Sequence, residues 1–212
     1  MSVRLTTARL LSLIALTGVF VLPGTAGAEA PADRITLDVV SINGSGCPPG
    51  TADVTPLADN TGFRVTYRDF LARAGGSAGA TEFRKNCQLN VLVHIPQGFT
   101  FAVAYADYHG RARLESGASG LQRTNYYFQG SPDNNFVDHT FAGPLSGTWS
   151  TTDATPVTEL VYAPCGEARN LNVNTELRVD EGTANANKTS AMSMRVSDGN
   201  VDTIVHFSWK QC

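Results

Sequence analysis

Through most of this chain apolar and polar residues alternate one by one, which buries one face of an extended strand, wets the other and leaves no stripe at helical spacing. Phe63, Val65 and Tyr67 alternate with Arg64, Thr66 and Arg68, and Leu89, Val91, Val93 and Ile95 repeat the device just after Cys87. Clusters of Gly, Pro, Asn and Asp interrupt the pattern every ten or so residues, the punctuation of a sandwich or barrel. The other predicted strands are Ile35 to Ile42, Phe99 to Tyr108, Arg111 to Glu115, Thr124 to Gln129, Phe136 to Phe141, Leu160 to Ala163, Leu171 to Val179, Ala191 to Val196 and Val201 to Trp209. The expected fold is therefore all-β: a single-domain, mainly antiparallel β-sandwich of about ten strands.

Three pairings are expected. Pro96-Gln97-Gly98 reads as the turn of a hairpin joining Leu89 to Ile95 with the strand from Phe99. Ser197-Asp198-Gly199-Asn200 reads as a second hairpin, because Asp-Gly supplies the positive φ of a tight turn. The Leu171 strand is expected beside the final one. Between Asp69 and Arg84 the pattern weakens into the Gly75-Gly76-Ser77-Ala78-Gly79 loop, preceded by a helical turn at Phe70 to Arg73. A second mobile stretch is expected at Asp180 to Lys188.

Arg4 and Arg9, the apolar run Leu10 to Leu22 and the small residues Gly24 to Ala28 have the three parts of a signal peptide. The 13-residue run falls short of the roughly 20 residues that span a bilayer. Ala26 and Ala28 suit an A-x-A site, so residues 1–28 are expected to be removed, leaving 29–212 as one secreted domain without a membrane span. Those 184 residues suffice for a sizeable core. Removing Arg4 and Arg9 from 16 basic residues against 19 acidic ones leaves a formal charge of −5. That mild acidity does not describe a polyanion-binding surface, and the longest basic cluster, Arg84-Lys85, gives no reason to expect nucleic acid as a partner.

Cys47, Cys87, Cys165 and Cys212 make an even count in an exported chain, which reads as two disulfides. Of three possible pairings, Cys47 with Cys87 and Cys165 with Cys212 is favoured, since each pair brackets a contiguous block of predicted strands. A metal site is not expected, because no C-x-x-C is present and His94, His109, His139 and His206 are scattered. No cofactor is expected.

Two motifs fail on context. Gly75-x-Ser77-x-Gly79 matches a nucleophile elbow, but lacks the buried strand before it and the helix after it. Asp198, Asn200 and Asp202 match the start of a calcium loop, yet Thr203 and Trp209 stand where Gly and Glu belong. Asp133, Asn134, Asn135 and Asp138 form another oxygen-rich loop, for which weak calcium binding and simple solvation are both open readings. Aromatic residues are the remaining hint. Tyr126 and Tyr127 are the candidate ligand-binding residues, because neighbours on a strand point to opposite sides and one ring of the pair is expected outside, where flat rings stack on sugars. Trp209 is expected in the core.

Several short pieces in a fixed order resemble one family. They are Gly44-Ser45-Gly46-Cys47-Pro48-x-Gly50, Arg84-Lys85-Asn86-Cys87-Gln88-Leu89, Ile95-Pro96-x-Gly98-Phe99, Tyr108-x-Gly110 with Leu114 and Gly117, and Tyr126-Tyr127-Phe128-x-Gly130. Gly143-Pro144, Pro164-Cys165-Gly166, Leu171-Asn172-Val173-Asn174-Thr175 and Trp209-x-x-Cys212 complete the series. From about Leu37 to Cys212 the chain resembles domain-of-unknown-function family 4360, found in small secreted bacterial and fungal proteins. The resemblance implies one secreted domain with paired cysteines and transfers no catalytic or binding residue.

The expected function is that of a secreted, non-catalytic module binding an envelope polysaccharide or another extracellular partner. Two further classes fit the same features: a protein-protein effector or inhibitor acting through a rigid loop, and a secreted hydrolase whose site is assembled across strands. No intact catalytic motif marks an enzyme, and fold alone does not choose among these.

Overall fold

The computed structural model describes residues 29–132, 135–194 and 202–212. Twelve strands are present: β1 Thr36–Asn43, β2 Ala52–Pro56, β3 Gly62–Tyr67, β4 Leu71–Ala74, β5 Arg84–His94, β6 Phe99–Leu114, β7 Ser119–Phe128, β8 Asn135–Ala142, β9 Leu145–Ala154, β10 Asn170–Asp180, β11 Ser190–Ser193 and β12 Asp202–Gln211. Five form a front sheet in the order β1-β5-β10-β7-β8; the other seven form a back sheet, β2-β3-β12-β6-β11-β4, with β9 also paired to β6. Every pairing is antiparallel.

The alternation builds the core directly. Leu89, Val91, Leu171, Val173, Leu177 and Phe128 from the front sheet meet Phe63, Val65, Phe101, Val205, Phe207 and Trp209 from the back sheet. Phe101 and Phe128 join the layers edge to face, with ring centroids 5.4 Å apart. Each such side chain contributes about 1.5–3 kcal/mol by leaving water. The Trp209 indole N–H also donates to the Asn60 carbonyl at 3.0 Å, satisfying the polar end of a buried ring.

The expected pairings are corrected by the two-layer arrangement. β5 and β6 do not form a hairpin: Pro96-Gln97-Gly98 carries the chain from the front sheet to the back one, so their apolar faces meet across the core and do not lie side by side. β10 pairs with β5 and β7, not with the final strand. β11 and β12 do not pair either; Ala191–Ser193 and Thr203–Gln211 occupy successive lengths of one edge of β6. The turn expected at 197–200 lies outside the described residues. The strands expected at Phe99 and Arg111 are one continuous β6, and Phe70 to Arg73 enters β4 in place of a helical turn. Leu160 to Ala163 is not a strand but a strap following the short 3-10 turn Val157–Glu159. Strands β2 and β9 have no counterpart among those predicted.

Disulfides join Cys47 to Cys87 and Cys165 to Cys212, with Cα atoms 5.3 and 5.9 Å apart. The second closes for a reason other than a β10–β12 pair: Ala163 N–H donates to Phe101 O at 2.9 Å and Cys212 N–H to Gly98 O at 2.8 Å, so both cysteines flank the start of β6. Each bridge contributes about 2–4 kcal/mol. Gly75-x-Ser77-x-Gly79 follows an antiparallel strand and leads into turns, so it is no nucleophile elbow; Gly75 and Gly76 hold φ of +74° and +57° against Lys188 and Thr189.

Candidate ligand-binding face

Strand β7 places Tyr126 and Tyr127 on opposite sides of the front sheet. Tyr126 points inward and is 7% exposed. Its hydroxyl donates to Asp153 Oδ2 on β9 at 2.8 Å and also meets the Tyr108 hydroxyl on β6. His139 Nε2 on β8 lies 2.7 Å from Asp153 Oδ1. Beside this chain Gln122 Nε2 donates to Thr124 Oγ1 at 2.8 Å, and the Thr151 hydroxyl donates to Gln122 Oε1 at 3.0 Å. Burial pushes the Tyr108 and Tyr126 phenols well above their ordinary range. It also raises the Asp153 carboxyl, against the opposing pull of hydrogen bonds from Tyr126 and His139. These groups spend their polar atoms on one another, so the cluster ties β6, β7, β8 and β9 together behind the outer face.

Tyr127 points outward and is half-buried. The register sets it in a row with Ser41, Asn90 and Asn172, from β1, β5 and β10. The next row is Asn43, Gln88, Asn174, Asn125 and Phe136. Asn90 Nδ2 donates to Asn172 Oδ1, and Asn170 Nδ2 to Asn90 Oδ1, both at 2.8 Å. Asn125 Oδ1 and Asn174 Oδ1, on directly opposed residues, are buried without a hydrogen-bond partner among the described residues. Phe136 is 61% exposed at the end of that row. An amide field bordered by two rings thus crosses the front sheet.

One row further, Asn86, Glu176, Arg123 and Asp138 stand side by side, and beyond them Arg84 faces Arg178. Arg84 Nε donates to Glu176 Oε2 at 2.6 Å and Arg178 to Oε1 at 2.7 Å. Arg123 grips Asp138 with two hydrogen bonds of 2.6 and 2.5 Å. This bidentate pairing holds the Asp138 carboxyl below its usual range. Burial would raise Glu176, but its two arginines outweigh that and lower it.

The back sheet carries a different outer cluster. Tyr105 is 41% exposed and stacks on His206 with centroids 4.1 Å apart. Burial depresses the His206 imidazole, against Asp107 at 3.5 Å and the charge of Asp59. Of the oxygen-rich loops, Asp133, Asn134, Asp198 and Asn200 lie outside the described residues. Asp138 is taken by Arg123, and Asp202 by Arg64 at 3.0 Å. Among the described residues no group of three or more His, Cys, Asp or Glu could hold a metal ion, and no helix is long and apolar enough to cross a membrane.

The sequence marks both Tyr126 and Tyr127 as candidates, of which the structure turns Tyr126 into the core, and it does not show the amide field around Tyr127. The signal was present in Leu171-Asn172-Val173-Asn174, where the polar half of the alternation is amide and not charged. Nothing in the linear order links Arg84, Arg123 and Arg178, which only the register brings together.

The molecule is thus a disulfide-bonded antiparallel sandwich whose front sheet carries a polar outer face. A family model described as Domain of unknown function (DUF4360) matches residues 33–212, and the chain belongs to that family. An uncharacterized secreted protein of Arthroderma benhamiae is 34% identical over 195 residues, covering 90% of this chain and 77% of the relative. The protein is a secreted one. Among solved structures, the enzymatically active domain of a bacteriophage CBA120 tailspike protein is similar over 84% of this chain, with a TM-score of 0.25 and 9% identity. The chain spans 19% of that structure's length.

Proposed function

We propose that the protein is a non-catalytic secreted module whose front sheet binds an extracellular polysaccharide. The observation that carries this reading is the field of outward amides, Gln88, Asn90, Asn125, Asn172 and Asn174, flanked by the outward rings of Tyr127 and Phe136. Sugar hydroxyls exchange hydrogen bonds with side-chain amides, and the C–H faces of a pyranose lie against an aromatic ring. Five antiparallel strands spread the field over an open sheet face, which suits an extended chain better than a small molecule enclosed in a pocket.

The test is retention of the purified secreted protein on insoluble chitin, cellulose and peptidoglycan, with Tyr127→Ala and Asn174→Ala as variants. The expected result is retention on at least one matrix and loss of about tenfold in affinity for Tyr127→Ala, as for a central aromatic contact. Absence of retention on every matrix, or retention indifferent to both variants, would overturn the reading.

A further inference from the structure

Resting on that polysaccharide reading, we infer that the ligand of the front sheet is anionic, a glycan bearing carboxylate or sulfate groups read by Arg84, Arg123 and Arg178. The three arginines come from three strands and share the outer face with the amide field. Six residues of β10 separate the Asn172 row from the Arg178 row, which at strand rise is about 20 Å. That is the footprint of an oligosaccharide, not of one sugar.

Two features of the cluster are costly for a sheet surface that binds nothing. Arg84 and Arg178 are directly opposite across β5 and β10, the position where like charges disfavour pairing. Glu176 bridges them, one oxygen to each. The Arg178 Nε–H is also buried without a partner among the described residues. Within the rows of Arg84, Arg123 and Arg178 three guanidiniums meet the two carboxylates of Glu176 and Asp138, and the next outward carboxylate on β10 is Asp180 at the strand's end.

The guanidinium side chains of Arg84, Arg123 and Arg178 remain 52%, 40% and 41% exposed. Their planar forks match the two oxygens of a carboxylate or the edge of a sulfate. A uronate or sulfated unit placed over Arg84 and Arg178 relieves the repulsion that Glu176 alone offsets. Its neighbours along the chain then lie on the Asn174, Asn125 and Tyr127 rows.

The experiment measures binding of the purified protein to polygalacturonate, dextran sulfate, a cello-oligosaccharide and a single-stranded oligonucleotide, at low and at physiological salt. Arg84→Gln/Glu176→Gln/Arg178→Gln removes the bridging carboxylate together with both arginines, so no buried charge is orphaned; Arg123→Gln is the second variant. A thermal melt verifies that each is folded. The expected result is that at least one anionic glycan binds more tightly than the cello-oligosaccharide and weakens with salt. The triple variant should lose tenfold or more for that glycan, and Arg123→Gln severalfold. Polygalacturonate or dextran sulfate as the preferred ligand distinguishes carboxylate from sulfate recognition.

Cello-oligosaccharide binding that equals the anionic glycans, depends on Tyr127 and ignores the arginine variants would overturn the anionic inference and leave the polysaccharide reading standing. Binding of none of the glycans would remove both. Equal, arginine-dependent binding of the oligonucleotide would mark an unspecific cationic patch and also overturn the inference.

Discussion

The two outer faces of this sandwich are made from the same alternation and differ in what lies over them. On the front sheet β5, β10, β7 and β8 pair in unbroken register, β1 adds a bulged edge, and the amide and arginine rows cross the sheet side by side. On the back sheet β11 and β12 divide one edge of β6 between them, and the chain after β9 returns over the start of β6. There Thr100 and Ala102 are buried although they pair with the outward residues Lys210 and Ser208. Thr100 Oγ1 donates to Ala163 O at 2.6 Å, the hydroxyls of Tyr162 and Ser208 lie 2.9 Å apart, and the Lys210 ammonium stands 5.4 Å from the Tyr162 ring centre. On the back face the protein's own chain lies over these residues, whereas on the front face the outward Asn172 and Glu176, 5% and 7% exposed, are buried among the side chains of their own rows. An exposed tyrosine therefore means different things on the two sides: Tyr105 is already stacked on His206, whereas Tyr127 borders unpaired amides.

The largest effect that separates the faces is expected from the buried cluster behind the front sheet. Asp153→Ala leaves the Tyr126 hydroxyl and His139 without their shared acceptor. It should cost about 3 kcal/mol, read as a lower midpoint in urea with unchanged m. A loss below ~1 kcal/mol would mean that the tie between β7 and β9 is not energetically central. Next comes ligand affinity: Tyr127→Ala should reduce polysaccharide binding about tenfold, or ~1.4 kcal/mol, while Tyr105→Ala leaves it unchanged. Equal losses would erase the distinction between the faces.

Acid titration gives a smaller effect of opposite sign on the two sides of the front sheet. Asp138 and Glu176 have lowered values in the folded state. Their stabilisation is present above the ordinary carboxylate range and is lost as pH falls through the folded values. Asp153 has a raised value, so its term is most favourable below the ordinary range and is lost as pH rises through the folded one. Thermal melts across that range should show a shallower loss of Tm on acidification for Asp138→Asn than for the parent protein, and a steeper one for Asp153→Asn. The smallest effect is expected for Tyr126→Phe, which removes one hydroxyl from the cluster: about 1 kcal/mol in stability, with ligand affinity kept. A loss of affinity there would show that the interior and the front face are coupled.

Much of the architecture was legible because period-two alternation is local chemistry. β3, β5, β7, β10 and β12 lie where Phe63, Leu89, Tyr126, Leu171 and Val205 alternate with polar neighbours. β9 was not legible: in Leu145–Ala154 the buried residues are Trp149 and Asp153, with serine, threonine and glycine around them, and a strand at the edge of β6 needs little apolar pattern. In β4, Leu-Ala-Arg-Ala has good helix formers and by itself favours a helical turn; pairing to β11 overrides that propensity. The site was half legible. Alternation alone sends Tyr126 and Tyr127 to opposite faces, but which face is core depends on the sheet that packs behind it.

By itself, then, the sequence determined an all-β chain with four cysteines, and it ordered which residues of each strand share a face. Those are consequences of spacing within ten residues or fewer, and they survive any arrangement of the strands. Tertiary structure alone decided that Pro96-Gln97-Gly98 changes sheets and that β11 and β12 share one edge of β6. It also brought Arg84, Arg123 and Arg178 to one surface. Each of these depends on which strands bury their apolar faces against which, a choice made by the packing of the whole core and not by any segment of it.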